Sequence, residues 1–145
     1  MIATATAPRQ PDALSQFWTS ESATRLSDSP RILIVEDDPD CQEGWSVWLR
    51  HQGFEVLSAT DGAVGLATME AEAPDVALLD LGLPGMHGLK VLHEMRMRGL
   101  RTPAVVITAS PESRTYLRAK SMGAAAVLAK PVSLQRLASI IEELL

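Results

Sequence analysis

The chain has 145 residues, 46% of them apolar, and a net charge of −5; a single domain of this size buries roughly two-thirds of the surface its unfolded chain exposes, enough for a real core. Acids and bases are mixed without a basic run, which argues against a direct nucleic-acid partner, and the one cysteine, Cys41, excludes an intrachain disulfide framework and fits a reducing compartment. No apolar stretch approaches the ~18 residues of a membrane span and no basic region followed by an apolar run opens the chain, so the expectation is a cytoplasmic protein without membrane insertion.

Residues 1–30 are rich in Ala, Ser and Thr, with Pro8, Pro11 and Pro30, and read as a disordered tail. Within it, Leu14, Phe17 and Trp18 share one helical face after a candidate cap at Asp12. From Arg31 onward, short apolar runs alternate with helical patterns. The runs are Ile32–Val35, Phe54–Leu57, Val76–Leu79, Ala104–Ile107 and Ala124–Ala129. Unbroken runs of this length suit parallel strands buried on both faces. The helical patterns are marked by Trp45, Trp48 and Leu49; by Leu66, Met69 and Ala73; by Leu89, Leu92 and Met95; by Leu117 and Met122; and by Leu134, Leu137, Ile141 and Leu144. Asp38, Asp61 and Ser133 are candidate N-caps, and Gly53 and Gly99 fall where helices should stop. In the first helix, Trp48, spaced with Leu49, is the expected core residue and Trp45 the more exposed one.

Five strand-then-helix units with right-handed crossovers predict an α/β fold, a doubly wound five-stranded parallel sheet, for which the order 2-1-3-4-5 is the commonest small solution. Ligands of such sheets bind at the carboxyl ends of the strands, near the switch point between strands 1 and 3. Strand 1 ends in Glu36-Asp37-Asp38, strand 3 in Asp80, strand 4 in Thr108 and strand 5 in Lys130-Pro131. Singly, each has an ordinary explanation: a solvated strand end, a helix cap before Pro39, a loop hydroxyl, a surface charge. Together they fill one crevice. Two carboxylates ~4 Å apart repel by about 4 kcal/mol at an effective dielectric of about 20, so an acidic cluster calls for a cation, and hard oxygen ligands suit Mg²⁺ or Mn²⁺. A divalent ion, a lysine and a hydroxyl around one carboxylate form a receptor for a phosphoryl group, with the carboxylate as nucleophile.

These residues carry a resemblance. Ile32-Leu33-Ile34-Val35-Glu36-Asp37-Asp38, Leu79-Asp80-Leu81-Gly82-Leu83-Pro84-Gly85-Met86-His87-Gly88, Ile107-Thr108-Ala109 and Lys130-Pro131 resemble the motifs of two-component response-regulator receiver domains, over Arg31 to Leu145. The resemblance implies a flavodoxin-like receiver that is a phosphoacceptor rather than an enzyme, assisting its own phosphorylation and dephosphorylation. Asp80 is then the phospho-acceptor. The metal ligands are Asp37, Asp80 and the backbone carbonyl of Gly82, with Glu36 acting through water and Asp38 outside the set. Thr108 is the switch hydroxyl, and Lys130 pairs with phosphoryl oxygens and precedes a cis bond to Pro131. A histidine kinase or histidine phosphotransfer protein is the implied donor, with a downstream protein of unspecified identity.

Two positions depart from the family pattern. Val127 stands where a Phe or Tyr is usual, so the aromatic rotamer switch is missing and weaker coupling to strand 4, helix 4 and strand 5 is expected. His87 stands where Asp is frequent, with little effect expected. Two other functions of similar folds fit poorly. A flavin carrier needs a Ser/Thr/Gly-rich loop after strand 1, where this chain has Glu36-Asp37-Asp38-Pro39-Asp40. A haloacid dehalogenase type phosphatase would use Asp38-Pro39-Asp40 but needs a late acidic pair. A pseudo-receiver acting only as an interaction module is opposed by the intact acid, threonine and lysine set. The fifth helix runs to Leu145, which predicts a stand-alone receiver, with a fragment of a longer regulator as the alternative.

Overall fold

A computed structural model of the chain describes residues 28–109 and 112–145. The pattern at Leu14, Phe17 and Trp18 lies outside the described residues, with most of the expected tail. Strands and helices alternate: β1 (Arg31–Val35), α1 (Pro39–His51), β2 (Glu55–Ala59), α2 (Gly62–Glu72), β3 (Val76–Asp80), α3 (Gly88–Met97), β4 (Ala104–Thr108), α4 (Ser113–Ser121), β5 (Ala126–Ala129) and α5 (Leu134–Leu144). The sheet order is β2-β1-β3-β4-β5, and every pairing is parallel. This is the predicted 2-1-3-4-5 order.

Side chains alternate across each strand, and two apolar layers result. Leu33, Val35, Ala77, Leu79, Ala104 and Val106 pack with Leu66 and Met69 of α2, Val91, Leu92 and Met95 of α3, and Ala119 of α4. Ile32, Ile34, Val76, Leu78, Val105 and Ile107 pack with Trp45 and Leu49 of α1 and Leu137 and Ile141 of α5. β1, β3 and β4 are buried on both faces, which is why they read as continuous apolar runs.

The caps explain where helices begin and end. Asp38, Asp61 and Ser133 accept from Asp40, Val64 and Arg136 backbone N–H groups, as expected. Gly53, Gly99 and Gly123 take positive φ, and the N–H of the next residue reaches back to the carbonyl five positions earlier, closing α1, α3 and α4 in the manner of a Schellman motif. Gly123 does for α4 what was expected only of Gly53 and Gly99. This geometry corrects two strand boundaries. Phe54 donates to Leu49 O and Ala124 to Ala119 O, so both residues belong to helix stops, and β2 and β5 begin later than the apolar runs suggest.

Three helix-face expectations also change. Trp45 is buried at 8% exposure, whereas Trp48 only partly covers the core edge. The inward stripe of α1 runs Cys41, Trp45, Leu49 at i, i+4, i+8, which places Trp48 off its centre. Ala73 is not part of α2's buried face; it is the exposed C-cap, with φ 47°. Leu117 is 64% exposed, and Ala119 is the buried residue of α4.

Candidate functional site

The site is built by the carboxyl ends of the strands. Glu36 is in phase with Ile32 and Ile34, Asp80 with Val76 and Leu78, and Lys130 with Leu128, so these three side chains belong to the α1/α5 layer. Thr108 is in phase with Ala104 and Val106 and belongs to the opposite layer. Its backbone carbonyl accepts from Lys130 N at 2.9 Å, which pins the ends of β4 and β5 together. The Lys130–Pro131 bond is cis.

Glu36, Asp80 and Thr108 are buried, at 1%, 6% and 6% exposure, while Asp37 is exposed. Carboxylate oxygens of Glu36, Asp37 and Asp80 lie within 4.8 Å of one another. Lys130 Nζ lies 2.9 Å from Glu36 Oε1 and 3.5 Å from Asp80 Oδ1. Its ammonium is also 6.0 Å from the centre of the Trp45 ring, within range of a cation–π attraction. Burial pushes the Glu36 carboxyl above its ordinary value, although the hydrogen bond from Lys130 pulls the other way. Burial works to lower the Lys130 pKa, but the Glu36 hydrogen bond and the Asp80 charge prevail and raise it. The lysine therefore stays an ammonium held between two carboxylates.

Neighbouring groups hold this arrangement. Glu36 Oε2 accepts from Asp38 N at 3.1 Å, and Asp80 Oδ1 accepts from Gly82 N at 3.3 Å. The Gln42 amide donates to Glu36 O and Ala59 O, tying α1 to the ends of β1 and β2. A Cβ at Gly88 would lie 2.6 Å from Asp80 O and Leu81 Cα, so the backbone beside Asp80 needs a glycine there. His87 does more than occupy a loop: its Nδ1 accepts from Leu89 N at 3.2 Å, capping α3. Sequence reasoning missed Gln42 and Gly88 as supports. A polar residue at the fourth position of α1 and a glycine opening α3 are too common to signal these contacts by themselves. Burial, with help from Asp38, pushes the Cys41 thiol pKa up.

Asp80, Gly82, Thr108 and Lys130 line one crevice of about 510 Å³. All the expected site residues are thus brought together at the switch point, with Asp38 serving α1 as its cap. The three acids offer hard oxygen donors of the kind that suit a small divalent cation, and the excess of negative charge over Lys130 leaves room for one.

The doubly wound parallel sheet, with an acid–lysine–threonine crevice at its switch point, places the chain among flavodoxin-like α/β proteins. Residues 32–142 match the response regulator receiver domain, and the chain belongs to that family. Its relatives include the transcriptional activator protein PfeR of Pseudomonas aeruginosa, 36% identical over 124 residues, which are 85% of this chain and 40% of that protein. The regulatory protein AtoC of Escherichia coli is 37% identical over 115 residues, 79% of this chain and 25% of that protein. The chain spans a quarter to about half the length of such curated relatives. Among solved structures, a CheY-like receiver domain protein from Methanospirillum hungatei is 31% identical with a TM-score of 0.75, over 80% of this chain and 93% of that one. The Vibrio cholerae chemotaxis protein CheY4 is 27% identical with a TM-score of 0.76, over 81% of this chain and 99% of that one. Among the described residues, no helix is long and apolar enough to cross a membrane.

Proposed function

We propose that Asp80 accepts a phosphoryl group from a phosphohistidine donor and that residues 31–145 act as a cytoplasmic receiver unit preceded by a tail. The observation that carries this reading is the contact of Lys130 with both Asp80 and Glu36 inside the acidic crevice. An Asp80 carboxylate oxygen forms the new bond to phosphorus while the bond from phosphorus to the donor's imidazole nitrogen breaks. Lys130 offsets negative charge on the transferring group, and the Thr108 hydroxyl donates to one of its oxygens. Asp37, Asp80 and the Gly82 carbonyl would hold Mg²⁺ or Mn²⁺, with Glu36 acting through water. The ion, when bound, supplies charge neutralisation during transfer. Dephosphorylation uses the same groups with water as the acceptor. A histidine kinase or a histidine phosphotransfer protein is the donor, and the output is a phosphorylation-dependent protein contact or onward transfer.

Acetyl phosphate with Mg²⁺ tests this directly. Intact-mass analysis should show the gain of one phosphoryl group on the wild type. Asp80→Asn should show none, and Asp37→Ala or EDTA should abolish labelling. Equal labelling of Asp80→Asn would overturn the assignment.

A further inference from the structure

The crevice around Asp80 is also lined by side chains that the phosphoacceptor chemistry does not use. Thr115 and Arg118 of α4 and His87 at the start of α3 line it together with Thr108 and Lys130. Lys130 is already shared between Glu36 and Asp80. Phosphorylation turns the Asp80 carboxylate into an acyl phosphate with up to about two negative charges and three strong acceptor oxygens, so beside the ion, Lys130 and Thr108 there is still acceptor capacity for a further donor. Arg118 is exposed, and among the described residues its side chain has no ion-pair or hydrogen-bond partner. Its helix is lightly held. Ala119 is the one buried residue of α4, Tyr116 and Leu117 are 44% and 64% exposed, and the N-cap Glu112 makes no side-chain capping bond. Val127, packed beneath the same layer, is short and nearly fixed at χ1, so a ring movement cannot carry the signal.

We propose that Arg118 reads phosphorylation: its guanidinium pairs with oxygens of the phosphoryl group on Asp80 and draws α4 toward the crevice. A planar fork of donors matches phosphoryl oxygens in a way the point charge of Lys130 does not. The proposal rests on the phosphoacceptor reading of Asp80. Arg118 also lines a neighbouring groove of about 560 Å³ between α3 and α4, together with Lys90 and His93. Turning the guanidinium toward Asp80 withdraws a positive charge from that groove. Phosphorylation thereby changes the electrostatics of an outer surface without any aromatic switch.

Beryllofluoride with Mg²⁺, titrated into the full chain, tests the idea. Arg118→Ala should weaken its binding about tenfold, the size of one charge-assisted hydrogen bond. It should also remove the NMR shift changes of the Tyr116 to Ala119 amides while keeping those near Gly82. Arg118→Lys should fall between Arg118→Ala and wild type. Lys90→Ala, in the groove but outside the crevice, should bind as wild type does. Wild-type affinity and intact α4 shifts in Arg118→Ala would overturn the proposal. So would equal weakening in Lys90→Ala, which would mean a diffuse field and no contact. A wild type that takes up neither acetyl phosphate nor beryllofluoride sinks the phosphoacceptor reading itself, and this proposal with it.

Discussion

Trp45 stands where the charged crevice meets the α1/α5 layer, touching apolar neighbours on one side and the Lys130 ammonium on the other. Two roles are combined in one ring. Removing it leaves a large void and strips Lys130 of its aromatic neighbour. Trp45→Ala should cost about 3–5 kcal/mol in urea unfolding, and Trp45→Phe substantially less. Because the ring is buried, labelling by acetyl phosphate and by a histidine donor should slow together. Selective slowing with the protein donor would instead show that Trp45 is a docking residue. Glu36 is the complementary case, a carboxyl buried for its position and not for its packing. Its folded value lies above the ordinary 4.5 because of burial, so the folded chain holds that proton more tightly than the unfolded one. Stability from this group is present below 4.5 and lost as pH rises through the raised folded value. In EDTA, the stability difference between wild type and Glu36→Gln should therefore shift against the wild type over that window. A flat difference curve would contradict the raised value.

At the scale of elements, two glycines make opposite predictions. Gly88 opens α3 with its Cα against the backbone of Asp80 and Leu81, and backbone does not give way as a flexible side chain does. Gly88→Ala should cost about 1–3 kcal/mol and lower acetyl phosphate labelling by displacing Asp80. Gly44, within α1, has nothing within 4 Å of a new Cβ, so Gly44→Ala should stabilise the fold by up to about 1 kcal/mol. Urea midpoints measure both. The same contrast explains what was legible in the sequence. Central strands buried on both faces leave an unbroken apolar run, and their order follows the commonest arrangement for five such units with right-handed crossovers. Glu36, Asp80, Thr108 and Lys130 stand out because each is the first polar residue after such a run. Gly88 was not legible, since close approach between distant backbones leaves no local pattern. The roles of Trp45 and Trp48 were inverted because three- and four-residue spacings both keep a helical face, and only the direction of the neighbouring sheet chooses between them. Phe54 and Ala124 are apolar for the sake of a helix stop, which a run of apolar residues does not distinguish from a strand.

Across the whole molecule, the metal binding proposed for the three acids would be linked to folding. A cation that binds the assembled acids and not the unfolded chain stabilises the fold, by about 2.7 kcal/mol at a hundredfold excess over its dissociation constant. Mg²⁺ should raise the thermal midpoint of the wild type and leave that of Asp37→Ala almost unchanged; calorimetry with and without EDTA measures it. The alternation of side chains across the sheet has a further consequence. Glu36, Asp80 and Lys130 stand on the side of α1 and α5, and Thr108 on the side of α2, α3 and α4. The crevice is a seam shared by the two layers that the sheet separates. Surface changes on one layer can then retune a partner without disturbing what the other layer recognises. Val47 on α1 and Leu117 on α4 are both exposed and lie on opposite sides of that seam. In a double-mutant cycle on transfer from a histidine donor, Val47→Ala and Leu117→Ala should combine additively to within about 0.5 kcal/mol. A larger coupling would mean that the two layers answer to the same partner. Additivity would mean that the surface of one layer can change without altering what the other contributes to that transfer, with the carboxylate between them left untouched.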